Sequence, residues 1–329
     1  NSVPGKGGTI SAVEEGSKAP FGVTGNTDAA TWSKVSTKSK LTIGAGVTVE
    51  TWASAVAIQG KGATLDVHGT LHGTYLHAAI QGNGTVNATT NNGGTTATVY
   101  EGAVVESGTG IFWPQSGTLT IKGGTVKGAY TGIEMRAGTL TMSGGEVVGN
   151  GPELVVNASD NGSTTDGAGI AVAQHTTKLP VKVTVTGGKV SGYAALYESN
   201  PQKNDADSIK QVKLYLNGGT FTAINGGTEA VYSEDCTKFV NNGTFSSDVS
   251  RYCMDYRVVS KNEDGTYTIV ADQYATVENP GEAPFTASSL SNAFSKVKEG
   301  GTITLLKDVP ATSATYSNNK KSCTLDLNG

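Results

Sequence analysis

Apolar side chains fall at every second position in many short runs of this chain, and most of the runs end on glycine. In GTLTIKGGTVKG (117–128), Leu119 and Ile121 share one face, Thr118 and Thr120 share the other, and Val126 returns to the apolar side after Gly123–Gly124. Side chains alternate across a strand with a period of two, so this pattern predicts short, half-buried strands joined by glycine turns. A helix would need apolar residues at i, i+3 and i+4, and runs this β-branched disfavour one.

The phrase is also repeated. GTLTMSGGEVVG (138–149) is the same twelve residues 21 positions later, with four changed and every glycine kept. VTVTGGKVSG (183–192), LYLNGGTFTA (214–223) and FVNNGTFSSD (239–248) follow it, and LTIGAGVTVE (41–50), LDVHGTLHG (65–73), IQGNGTVNA (80–88) and VYEGAVVES (99–107) are weaker copies upstream. The glycine before the second strand gives the series Gly46, Gly69, Gly84, Gly102, Gly124, Gly145, Gly188, Gly219 and Gly243. Two intervals are long, and each holds a polar insertion, at 150–167 and 198–211; without them the period is roughly 17–25 residues. A unit this short cannot bury its apolar face alone, so the units must stack. The expected fold is all-β, a solenoid of parallel strands over residues 1–256, each coil adding about 4.8 Å along the axis. Nine or ten coils make a rod on the order of 45 Å long. Leu119, Leu140, Val183 and Leu214 should form one interior column, and Ile121, Met142, Val185 and Leu216 another.

Residues 257–329 read differently. RVVSKNEDGTYTIV is a hairpin around Asp264–Gly265, and Pro280 and Pro284 mark a linker. Ser288 is placed to cap a helix carrying Leu290, Ala293, Phe294 and Val297 on one face, with Gly300–Gly301 as its stop. Such a helix suits the open end of a solenoid. A strand at 302–306 follows, and CTLDLNG (323–329) reads as the start of another unit.

The repeats resemble the right-handed parallel β-helix of pectin-lyase-like proteins, which implies an all-β, right-handed parallel β-helix solenoid over residues 1–256. SSDVSRYCMDYRVVSKNEDGTYTIV (246–270), SSLSNAFSKVKEGGTITLLKDV (288–309) and CTLDLNG resemble the coil end, exit hairpin and next-module start in large surface proteins of Gram-positive gut bacteria. The resemblance implies a secreted, cell wall-attached module, monomeric within a longer chain. It is specific for architecture and weak for chemistry, because this fold carries lyases, hydrolases, adhesins and stalks.

Charge adds exclusions. Charged residues are 16% of the chain and the formal net charge is −4, which gives no basic footprint for nucleic acid. No run approaches the ~20 apolar residues of a membrane-spanning helix, so no membrane insertion is expected. NSVPGKGG has no basic region leading into an apolar one, so no secretion signal is expected within these residues. Cys236, Cys253 and Cys323 are too few for a disulfide framework, with a Cys236–Cys253 bridge left open. His68, His72 and His77 would need to converge on a fourth ligand to hold zinc, and a turn-containing strand gives no reason for that; no metal or cofactor is expected.

Chemistry is sparse. Asp205-Ala-Asp207 is the closest acidic spacing, and only Arg136, Arg251 and Arg257 could serve as arginine bases or clamps. A polysaccharide lyase or glycoside hydrolase is the alternative reading, since two carboxylates suffice for glycoside hydrolysis. No catalytic residue is assigned. The strands ahead of each phrase (GIFWPQ, GIEMRA, GIAVAQH, AALYESN and AVYSEDC) should line one wall of the rod. That wall would carry Trp113 or Phe112, Glu134, Arg136, His175, Tyr197, Glu198 and Glu234, with the insertions beside it. An aromatic and acidic groove suits an extended glycan or a host surface protein. The expectation is a non-catalytic adhesin-like or stalk module binding along Trp113, Glu134, Arg136, His175, Tyr197 and Glu198. The competing structural reading buries Trp113 and Tyr197 in the core.

Overall fold

The computed structural model describes residues 7–14, 19–34, 38–74, 77–160, 162–308 and 321–328. It is a parallel β-helix solenoid built from three stacks of short strands. The first stack runs through Ser39–Ile43, Ala63–Val67, Thr95–Val99, Gly117–Ile121, Gly138–Met142 and Val181–Val185 to Val212–Ala223. After the glycine turn, the second stack runs from Gly8–Ala12 through Val47–Thr51 and Thr70–His72 to Lys189–Gly192 and beyond. The third holds Phe21–Thr24, Val56–Gln59, Ala78–Gly82, the ends of Val104–Trp113 and Thr125–Met135, Ala168–Val172, Ala194–Glu198 and Val231–Ser233. Among the described residues helix is confined to Ala206–Ile209, Leu290–Lys296 and two single turns. No helix there is long and apolar enough to cross a membrane.

The register follows the alternation. Leu119 pairs with Leu140, Leu140 with Val183, and Val183 with Leu214; Ile121, Met142, Val185 and Leu216 do the same. All eight are buried. Each fully buried Leu, Ile or Val contributes about 1.5–3 kcal/mol, and the stacked columns from all three faces form one continuous core.

One repeat copy is not a coil. Ile80 belongs to the third stack, while Asn83–Thr85 belong to a loop that returns to Thr95–Val99. Gly84 therefore drops out of the series, and the step from Gly69 to Gly102 carries a third insertion. The spacing of Gly84 had mimicked a short coil.

The rod ends in a reversal of strand direction. Tyr267 and Thr268 of the hairpin Arg257–Lys261/Tyr267–Ala271 pair antiparallel with Phe245 and Thr244. Ile269 and Tyr267 join the solenoid core, so the hairpin covers the last coil. The C-terminal helix does something else. Its cap is Ser289, whose hydroxyl accepts from the Asn292 amide, one residue on from Ser288. Leu290, Ala293 and Val297 pack with Val277 and Ile303 in a second core, over a sheet of Phe285–Ala287, Ala275–Glu278, Gly301–Leu305 and Cys323–Asp326. An amphipathic helix covers whichever apolar sheet lies nearest, and here that is its own.

The cysteines are unbridged. Cys236 contacts the Val212 carbonyl at 3.6 Å and Cys253 the Val249 carbonyl at 3.7 Å, and burial pushes their thiols up to about 12 and about 11.

The coil glycines differ in how much they are needed. Gly145 has φ +78°, and a Cβ there would lie 2.7 Å from backbone atoms of Gly123 and Gly124. Gly102 has φ +77° but open space around it. Gly102→Ala should therefore cost about 1–2 kcal/mol of backbone strain in urea melts. Gly145→Ala should cost clearly more, because the rungs must also separate; equal midpoints would overturn this reading of the stack.

Candidate ligand-binding wall

The outward column of the third stack is Ala57, Gln81, Phe112, Glu134, Ala171, Tyr197 and Tyr232, one residue per rung. Period-two alternation turns the next residue of each strand the other way. Trp113, Met135, Val172 and Glu198 therefore form the neighbouring column, and all are buried. Of the expected site residues, Glu134 and Tyr197 do point to the wall, whereas Trp113 and Glu198 do not. Tyr197 is half-buried, and the other five are at most 5% exposed.

The wall is not an open groove, because the insertion at 150–167 crosses it as a strap. Glu134 holds the strap down: Ser163 donates to one carboxylate oxygen, and the Thr164 amide and hydroxyl donate to the other at 2.7 and 2.6 Å. Arg136 donates to the carbonyls of Gly162 at 2.6 Å and Ser159 at 2.8 Å. The second insertion joins at the same point, with the Gln202 amide also donating to Ser159 O. Asn204 donates to Gln174 Oε1 at 3.0 Å and to the His175 carbonyl at 3.1 Å. Residue types that suggested a ligand groove thus satisfy the strap's backbone, which would otherwise be buried without partners.

Glu198 is a separate case. Its Oε2 accepts from the Ser233 hydroxyl at 2.6 Å and the Asp235 amide at 3.0 Å, while Oε1 has no partner among the described residues. Burial pushes both the Glu198 and Glu134 carboxyls up from the ordinary range. Buried carboxyls held this way cannot meet a polysaccharide as an acid and base pair.

Among the described residues, two recesses on this wall flank the strap, one on each side. The larger is a notch of about 320 Å³ lined by Gln59, Gln81, Asn83, Phe112, Pro114 and His175 among others. Asn83 is its hub: its side-chain amide donates to Gln59 Oε1 at 3.0 Å, and its own N–H donates to Gln115 Oε1 at 2.9 Å. Gln81 Nε2 donates to the Gly82 carbonyl at 3.1 Å. His175 Nδ1 accepts from the Thr177 amide at 3.1 Å, which leaves Nε2 as the protonated nitrogen, close to Gly84, and the ring is also engaged by the Asp160 backbone. Burial, and then the Arg136 charge, lower the His175 pKa, so the ring is neutral near pH 7. The smaller recess is a slot walled by Leu154, Tyr193, Tyr197, Tyr232 and Glu229.

Of these, Gln59, Gln81, Asn83, Tyr193, Tyr232 and Glu229 had not been picked out from sequence. Tyr232 was legible, since AVYSE aligns with ALYES and sets it on Tyr197. Gln59 and Gln81 lie at the ends of third-stack strands and Asn83 in the loop that follows, and nothing in the repeated phrase marks any of the three.

The histidine cluster is used for packing. His68 stacks on Tyr100 at 4.1 Å and His77 tilts against Trp52 at 5.1 Å. Among the described residues no group of three or more potential ligands could hold a metal ion. No family model, curated protein or solved structure matches the chain.

Two predictions follow from the buried charges. A carboxyl whose folded-state pKa is raised stabilises the fold fully below its unfolded pKa of about 4.3, and that stability is lost as pH rises through the folded value. Wild-type stability should thus fall between mildly acidic and neutral pH more steeply than that of Glu198→Gln, by urea melts at each pH; parallel curves would refute the assignment. Arg136→Met strips the donors from Ser159 and Gly162, and should make 150–167 the first site of limited proteolysis while the coils stay intact.

Proposed function

We propose that this chain is a non-catalytic, surface-displayed module that binds an extended, uncharged glycan on its third-stack wall, anchored at the amide notch. The observation that carries this reading is the set of unspent groups in the notch. Among the described residues Gln59 Nε2 and Gln81 Oε1 meet no protein partner, over an apolar floor from Phe112 and Pro114. Alternating donors and acceptors beside an apolar surface match sugar hydroxyls and a ring face. No Asp, Glu, Lys or Arg lines the notch, which favours a neutral sugar over a uronate.

Placement on a pectin-lyase-like scaffold, in a secreted cell-wall protein of a Gram-positive gut bacterium, is part of the same proposal and rests on the resemblance of the coil and exit-hairpin phrases. A host surface glycoprotein is the matching partner. Single-site affinity would be modest, and repeated modules on one surface would supply avidity.

A glycan array spanning neutral and uronate-rich polymers tests this, with turnover assays on pectins and mucin glycans run in parallel. Gln81→Ala should abolish array binding by neutral glycans without lowering thermal stability, and Gln59→Ala should abolish it too at a small cost in stability, since it removes the acceptor of the Asn83 amide. Binding indifferent to both variants would move the site elsewhere, and turnover of any polymer would replace the reading with an enzymatic one.

A further inference from the structure

We propose that the slot on the other side of the strap is a receptor for a compact organic cation of the methylated-ammonium type. It is independent of the amide notch in residues and in chemistry. Tyr193, Tyr197, Tyr232 and Leu154 supply apolar walls, Glu229 supplies a carboxylate, and the recess measures about 80 Å³. That is room for one compact group and too little to enclose a sugar ring.

Its construction follows from the coil register. Tyr197 and Tyr232 occupy the same outward position on successive rungs, so their rings stack at 4.9 Å with only 15° between planes. Strand spacing alone fixes such a pair, which is therefore ready before any ligand arrives. Aromatic faces carry negative charge density and attract cations, most strongly cations that shed water easily, as methylated ammonium groups do. A neutral apolar guest of the same shape gains only the packing.

The surrounding charge favours a cation. Burial first pushes the Tyr197 phenol up, and Tyr232 and the carboxylates of Glu234, Glu198 and Glu229 nearby add to it. The structure already holds one cation against these groups. The Arg251 guanidinium lies 5.3 Å from the Tyr232 ring centroid and 3.9 Å from Glu229 Oε1. The guanidinium is also anchored by the Tyr252 hydroxyl and lies 4.5 Å from the Tyr252 ring centroid. The ion pair with Glu229 is about half exposed, so it is weak and exchangeable. Arg251 therefore acts as a competitor for Glu229.

Choline and 3,3-dimethyl-1-butanol, which have nearly the same shape and differ in charge, separate this proposal from a generic apolar slot. Titrated into the intact chain by NMR, choline should bind saturably with a dissociation constant on the order of millimolar, as expected for so small a ligand. Dimethylbutanol should bind about tenfold more weakly, within the range of a cation–π contribution. Tyr232→Ala and Glu229→Gln should weaken choline, with Tyr232→Phe retaining it as the control for folding. Arg251→Gln should tighten choline severalfold, since it frees Glu229. Equal binding of the two ligands, no saturation by choline, or an Arg251→Gln variant no tighter than wild type would each overturn the proposal. Neutral-glycan binding at the notch should be unchanged in Tyr232→Ala, so the two sites fail separately.

Discussion

A rung of this rod has no partner for its apolar face except the rung before and the rung after, and everything else in the structure follows from that. The chain must return to the same place on every turn, which requires strands of fixed register and turns in which the backbones nearly touch. Gly124 and Gly145, both at positive φ, lie where one coil's turn rests on the next. The same constraint makes the ends of a stack costly, because the last rung keeps an open edge. The reversed hairpin Arg257–Lys261/Tyr267–Ala271 meets that cost by covering Phe245 and offering no parallel edge in its place.

A scaffold with so rigid a rule leaves function to departures from it. The insertions after Gly149 and Glu198 flank the third stack, and both close over it at Ser159. Glu134 and Arg136 are the groups that hold the strap against a wall of strands. Because the strap crosses the wall instead of running along it, one continuous face becomes two recesses of different character. One is neutral and rich in amides; the other is aromatic and acidic.

The interior was legible in the sequence because it repeats. Leu119–Leu140–Val183–Leu214 could be aligned from the phrases alone, since a slip by one residue would turn every apolar side chain outward. The hairpin at Asp264–Gly265 was legible from its turn residues. The wall was less so. Tyr197 and Glu198 are adjacent on one strand, so they face opposite ways, and only Tyr197 lies on the wall. Gly84 misled because a loop can carry a glycine at nearly the coil spacing. The strap could be seen as an insertion, but nothing in its polar composition says which wall it will cross. That depends on Glu134 and Arg136 finding backbone partners some 23 to 30 residues away.

The strap also bears on how the rod would carry tension. Ladder hydrogen bonds in a solenoid lie along its axis, so a pull on the chain removes one rung at a time. A rung such as that from Gly124 to Gly145 would release on the order of 70 Å of chain. The strap interrupts this sequence. It joins the rung of Glu134 and Arg136 to Gln202, while Asn225 donates to the carbonyls of Asn150 and Gly151 from 75 and 74 residues away. Rungs bridged in this way must yield together, so the middle of the rod acts as a clutch between two stretches that unspool freely.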